Sequence, residues 1–526
     1  MKTEPAPLVL LQPAAGGSGS RAQAAIGLIA AFAALKLTLH FVATAITPYE
    51  IHRDEFLYLS MGEHLRFWCM DFPPAIAVLA KVARGLFGDT LFAIRFFPAV
   101  AGTLLLVFTA LITRELGGGR LAQALAMLAT LLGSLFLRPA TLFQPVVLDQ
   151  VCWTVGFYAL ARMVREPGGR WWLWLGVAGG LGLLAKFSIL FFAFGVVVAL
   201  LVSKQRPVLL ARQPWMALGL GLVLGCGSIV GQLRLGLPVL VHMGDLQREQ
   251  LTKVTYAGFL GGQVMLLGPA LLLVVPGLLW LLFSRPGREF RVIGLTCLTV
   301  LLLLMLLHGK AYYIGPIYPT LFAAGAVWLA GLPGTTGRVA QASVAMALVV
   351  LGLVTLPFGL PILAPESMAQ FCNKLGITAA VTTNRGTLLP LPQDYADMLG
   401  WEQQVQTVAR VFLGLPGQQR EAAGVLASNY GQAGALEFYG PRYGLPLRIM
   451  LPHDYHLWPA DDRWQTVVSI GMRSTRLERI FRNVKLAERY DNPWRVEEER
   501  DVPIYIASEP LVPISTTWVQ RKGWGK

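Results

Sequence analysis

The chain has 526 residues, 55% of them hydrophobic and only 14% charged, where an ordinary soluble protein carries about 25% charged residues. A soluble globular protein of this length is excluded, and so is a disordered one; the apolar residues fall in long runs, which points to a multi-spanning membrane protein. The net charge of +14 is unevenly placed: residues 1–361 hold 26 Lys and Arg against 13 Asp and Glu, and residues 362–526 hold 18 against 17. Such an excess belongs to membrane-flanking loops rather than to a nucleic-acid surface, so no nucleic-acid partner is expected.

In chain order, residues 1–21 read as a disordered cytoplasmic tail. The first apolar run, 22–46, is too long for a signal-peptide core and reads as an uncleaved first span. Residues 47–90 form a long, amphipathic first outer loop whose aromatic and basic residues suit helices in the membrane interface. Further runs lie near 91–112, 121–137, 145–161, 171–185, 187–202, 214–233, 260–283, 292–307, 316–332 and 339–360. The stretch 171–202 is one long helix or two short ones, and its flanks decide. Arg162, Arg165 and Arg170 precede it and Lys204, Arg206 and Arg212 follow it. Basic flanks belong on one cytoplasmic side, which requires two crossings with Lys186 at the outer turn.

The expected fold class is therefore a multi-spanning α-helical membrane protein of about 11 spans over residues 22–361, in the cell inner membrane, N-terminus cytoplasmic. Its inside segments hold 14 Lys and Arg against 4 acids, the remainder of that half 12 against 9. Residues 362–526 read as an extracytoplasmic soluble α/β domain. AGVLASNY, WQTVVSIGM and VPIYIAS are strand-like; GQAGALEFYG and TRLERIFRNVKLAERY are helix-like. The five cysteines include no CxxC and no metal-ligand spacing, so metal-independent chemistry is expected. Cys69 and Cys372 are the two placed to meet outside the membrane, but no disulfide is expected.

Charged side chains gather at the outer face. His52-Arg53-Asp54-Glu55 follows the first span directly, and adjacent carboxylates beside an arginine at a membrane surface are costly to desolvate. Asp149 sits at the mouth of the fourth span, Lys186 at the outer turn, and His308, Lys310, Tyr312 and Tyr313 at the outer end of a later span. Singly, each also reads as a snorkelling residue or an interhelical ion pair. Together, two acidic sites and two lysines on one face suit a pocket for an anionic lipid headgroup and a polar substrate: cations hold phosphate, and a carboxylate takes a proton or aligns a hydroxyl. Lys36, inside the first span, reads as snorkelling, and Arg95 as an anchor of the second span.

These residues resemble a known family. HRDEFLYL, DFPPAIAVLAKVARGLFGD with FAIRFFPAVAG, VLDQVCW, LLAKFSILFF and KAYYIGPIYP occur in the order and on the side seen in bacterial GT-C glycosyltransferases of the protein O-mannosyltransferase and aminoarabinose-transferase-like group. ADMLGWEQQVQTVARV and ASNYGQAGALEFYGPRYGLP resemble stretches of bacterial relatives as well, so the likeness covers nearly the whole chain. It implies inverting transfer of a sugar from a polyprenyl-phosphate donor to a glycan, lipid or protein acceptor on the extracytoplasmic face, with no cofactor besides the lipid-linked donor. Asp54 is then the general base, Glu55 its support through Arg53, and Asp149 the second acid. Lys186 and Lys310 face the phosphate, with Tyr312, Tyr313 and His308 beside them. One departure stands out. Many relatives carry a basic residue before the Pro-Pro pair of the first loop; here it is Phe72, preceded by Asp71, so phosphate gripping falls on Lys186, Lys310 or loop arginines. Two other classes compete: a transporter or lipid flippase, for which Lys36 is the one deep charge, and a scaffold whose outer domain binds a partner.

Overall fold

The computed structural model describes residues 25–66, 70–166, 169–383, 386–446, 449–450, 464–511 and 513. The expected tail and Cys69 lie outside the described residues; Cys372 is buried with a free thiol.

Helices dominate as far as Gly359. Six are long and apolar enough to cross a membrane: Ile26–Ile46, Leu91–Glu115, Tyr256–Phe283, Pro286–Leu306, Ala311–Ala330 and Gly334–Gly359. Two bent pairs, Arg120–Leu132 with Ser134–Thr141 and Arg212–Leu224 with Cys226–Arg234, bring the number to eight if each is one span. The eleven expected crossings are thus not established among the described residues. Part of the difference is length. The run 171–202 is two helices, Gly169–Ala185 and Ile189–Val202, of 17 and 14 residues. At 1.5 Å per residue each is shorter than a ~30 Å hydrocarbon core. Both are shielded by packing, the first against Pro145–Arg165 and Arg212–Leu224, the second against Arg291–Leu306.

Lys36 does not snorkel. It is fully buried, with Nζ 3.5 Å from the Thr130 carbonyl and 3.4 Å from the Phe136 carbonyl. Those carbonyls flank Gly133, where the chain bends by 57°. A bend opens helical carbonyls and a buried ammonium needs acceptors, so each satisfies the other. Packing therefore accounts for the deep charge on which the transporter alternative drew.

The first loop folds as two helices, Arg53–Glu63 and Ala75–Phe87. The first is not laid on a lipid surface. Its Phe56, Leu57, Leu59 and Met61 share one core with Trp401, Val405, Ala433 and Leu436 of the C-terminal region. Fully burying such side chains is worth about 1.5–3 kcal/mol each, so this helix fastens the C-terminal region to the bundle.

That region carries a sheet of β1 (Ala423–Ala427), β2 (Ile449–Met450), β3 (Thr466–Ile470), β4 (Phe481–Asp491) and β5 (Asp501–Pro510), in the order β2-β1-β3-β5-β4. β1 runs parallel to β2 and β3; β5 is antiparallel to β3 and β4. The stretch TRLERIFRNVKLAERY, expected to be helical, is mostly β4. Its helix-forming Arg, Lys and Glu are overruled by pairing with β5 from Phe481↔Pro510 to Asp491↔Asp501, as tertiary context often overrules propensity.

Candidate active site

The site is assembled from element ends. At the start of Arg53–Glu63, His52 Nδ1 accepts from the Asp54 amide at 3.0 Å, and the His52 amide donates to Glu55 Oε2 at 2.7 Å. This capping box engages one Glu55 oxygen and leaves the Asp54 carboxylate outside it, turned away from its own helix start. On the bundle side, Pro145 opens the helix Pro145–Arg165 and holds Gln144 extended before it. Gln144 Nε2 then donates to Asp54 Oδ2 at 3.0 Å. From the C-terminal region, the Tyr430 hydroxyl donates to Asp54 Oδ1 at 2.7 Å.

Glu55 is fully buried. Its oxygens also accept from Arg95 Nε at 3.3 Å, Arg95 Nη2 at 3.2 Å and the Phe143 amide at 2.8 Å. Desolvation opposes its charge, but Arg95 above all outweighs it and holds the carboxyl below its ordinary value. The expected link from Glu55 through Arg53 is replaced by this one, because Arg95 follows the second-span register into the same buried space. Arg53 turns the other way: its Nη1 lies 2.6 Å from Glu498 Oε1, and its guanidinium sits 5.0 Å from the Tyr430 ring centre.

Asp149 is buried, accepting from Ser188 Oγ at 2.6 Å and Trp153 Nε1 at 3.0 Å. It thereby pins the turn between the two short helices, and Lys186 on that turn is its electrostatic neighbour. Lys186 Nζ is 5.6 Å from the Tyr313 ring centre, and Lys310 Nζ is 6.0 Å from that of Tyr312. The two tyrosines meet edge to face at 4.8 Å. Lys310 feels Lys186, Asp54 and Asp394. Asp54, Lys310, Lys186 and Asp149 thus form one chain of electrostatic neighbours drawn from four elements. Burial pulls the Lys310 ammonium down to about 8; Lys186 adds to the pull, and Asp394 and Asp54 oppose it. His308 is not brought into this group. Its ring stacks on Tyr256 at 4.9 Å, and its Nδ1 lies 2.6 Å from the Val254 carbonyl.

Several participants escaped the sequence reading. Asp394 accepts from Arg138 Nε at 3.0 Å and lies 3.9 Å from His52 Nε2. Desolvation opposes its charge, yet Arg138, His52 and Lys310 hold its carboxyl below the usual value. Burial pushes the nearby Asp397 carboxyl up to about 6, against the pull of Arg53 and His52. Gln144, Arg138, Asp394 and Tyr430 belong to no local chemical pattern; Tyr430 stood in a quoted stretch, ASNYGQAGALEFYGPRYGLP, but nothing there marked it as a partner of Asp54. Among the described residues no three His, Cys, Asp or Glu side chains are grouped to hold a metal ion.

Comparison with known proteins completes the description. A family model described as dolichyl-phosphate-mannose-protein mannosyltransferase matches residues 71–229. No curated protein sequence matches the chain. Among solved structures, ArnT from Cupriavidus metallidurans in the apo state superposes with a TM-score of 0.60 at 16% identity, over 92% of this chain and 98% of that one. The same protein bound to undecaprenyl phosphate gives 0.57 at 16% identity, over 91% and 98%. The archaeal oligosaccharyltransferase AglB from Archaeoglobus fulgidus, in complex with an inhibitory peptide and a dolichol-phosphate, gives 0.51 at 12% identity, over 85% of this chain and 69% of that one. With that family model on residues 71–229 and that fold over most of its length, the chain has the fold of the GT-C superfamily of membrane glycosyltransferases.

Proposed function

We propose that this protein moves a sugar from a polyprenyl-phosphate donor to a hydroxyl acceptor, with inversion, on the extracytoplasmic face of the membrane. The observation that carries the reading is that Asp54 sits where the bundle and the C-terminal region meet, bonded by Gln144 from one and Tyr430 from the other, with Lys310 among the charges coupled to it and Lys186 coupled to Lys310. The acceptor hydroxyl attacks the anomeric carbon from the face opposite the phosphate. Asp54 takes the hydroxyl proton as the new glycosidic bond forms. The bond from the anomeric carbon to the phosphate oxygen breaks, and polyprenyl phosphate leaves with the bonding pair. Lys186 and Lys310 meet the charge that develops there. Asp149, with both oxygens engaged, serves by aiming Lys186 rather than by touching the acceptor. Glu55 holds the helix that presents Asp54.

The undecaprenyl phosphate of the ArnT structure and the dolichol-phosphate of the AglB structure support a lipid-phosphate donor for this chain too. The test is release of free undecaprenyl phosphate by the full chain in proteoliposomes, from a panel of undecaprenyl-phosphate-linked hexoses and pentoses with envelope extract as acceptor. Release that depends on extract supports the reading. Passage of the intact donor across the vesicle membrane, with no release, contradicts it.

A further inference from the structure

The Asp54–Tyr430 hydrogen bond joins residues 376 positions apart in sequence, and the surroundings show how it is held. Helix Tyr430–Tyr439 is capped by Asn429, whose Oδ1 accepts from the Gly431 and Gln432 amides at 3.0 and 3.1 Å. Asn429 Nδ2 in turn donates to Glu499 Oε1 at 2.5 Å. Glu499 is fully buried and also accepts from Gln432 Nε2 at 3.0 Å and Gln404 Nε2 at 3.3 Å. Its neighbour Glu498 holds Arg53. The short turn Glu497–Glu499 therefore grips two helix starts at once: one acid holds Arg53, next to Asp54, and the other holds Asn429, next to Tyr430. The two helices are close-packed along the same line, since a Cβ at Gly431 would lie 2.6 Å from Arg53 Cγ.

We infer that Tyr430 is a positioning residue for the reaction: through its hydroxyl, the C-terminal domain sets the aim of Asp54, so that the domain is a part of the reaction chamber. The inference rests on the transfer reading above. A carboxylate oxygen has two acceptor sites, so a donor on each oxygen fixes the rotamer and still leaves room for an acceptor hydroxyl. Removing the hydroxyl's hydrogen bond frees that rotamer without touching the donor site at Lys186 and Lys310. The Tyr430 ring stays beneath Arg53 when only the hydroxyl is lost, so Tyr430→Phe is a conservative probe.

The experiment compares wild-type and Tyr430→Phe full chains on the undecaprenyl-phosphate sugar that wild type turns over. Expected are a kcat about tenfold lower and a donor KM unchanged within twofold, a split that a general loss of folded protein would not produce. A Glu499→Gln substitution should also lower kcat in the wild-type background and add nothing to Tyr430→Phe, because it acts through the same hydroxyl. An unchanged kcat in Tyr430→Phe overturns the inference while leaving the transfer reading intact. A raised kcat with a lowered acceptor KM also overturns it, because Tyr430 would then be blocking the acceptor. A wild-type chain that turns over no donor overturns both.

Discussion

Asp54 accepts one hydrogen bond from each side of the molecule, Gln144 from the bundle and Tyr430 from the C-terminal region. Lys310 feels the Asp54 charge, and its environment makes a pH prediction. Burial brings its ammonium to about 8, so its charge is present at lower pH and lost as pH rises through that value. If it grips phosphate, donor KM should rise about tenfold between pH 7 and pH 9. Lys310→Arg, which stays charged throughout, should remove that rise; steady-state kinetics across the range checks it. A pH-independent donor KM in wild type would take Lys310 out of the donor site. Asp54, Asp149, Lys186 and Lys310 stand out in the sequence as candidates because a charge beside an apolar run is costly unless it is paired or used. Tyr430, Asp394 and Arg138 were not legible, because their meaning lies in partners 376 or 256 residues away.

Helix Arg53–Glu63 and helix Tyr430–Tyr439 touch through glycine. A Cβ at Gly434 would fall 2.5 Å from Phe56 Cβ and 3.0 Å from the Phe56 backbone carbonyl carbon. Backbone cannot retreat as the tip of a flexible side chain can. Gly434→Ala should therefore push the helices apart at a cost of about 1–3 kcal/mol, read as a lowered Tm of the full chain in detergent, and transfer should fall with it because Asp54 and Tyr430 separate. An unchanged Tm would mean that the helices are not packed this closely. At this scale the apolar runs announced most helices, and the basic flanks announced the break at Lys186. β4 was hidden because its exposed face is rich in Arg, Lys and Glu, the composition of a solvated helix. Only its partner β5 makes it a strand.

Over the whole molecule, one core runs from the first loop into the C-terminal region, with Phe56, Ile76 and Phe143 packed in the same cluster as Trp401, Val425 and Ile504. The membrane half holds Lys186 and Lys310 and the C-terminal half supplies Tyr430, Asp394 and the Glu497–Glu499 turn, so neither half contains the candidate site alone. The split of composition near residue 361 showed two parts; it did not show that their contact surface is where chemistry would take place. The most direct measurement follows from that division of labour: turnover and donor binding of Asp54→Asn and Lys310→Met, side by side, with an undecaprenyl-phosphate sugar that wild type accepts. The account predicts that Asp54→Asn binds donor like wild type and releases undecaprenyl phosphate at least a hundredfold more slowly, while Lys310→Met loses donor affinity. Full turnover by Asp54→Asn would contradict it.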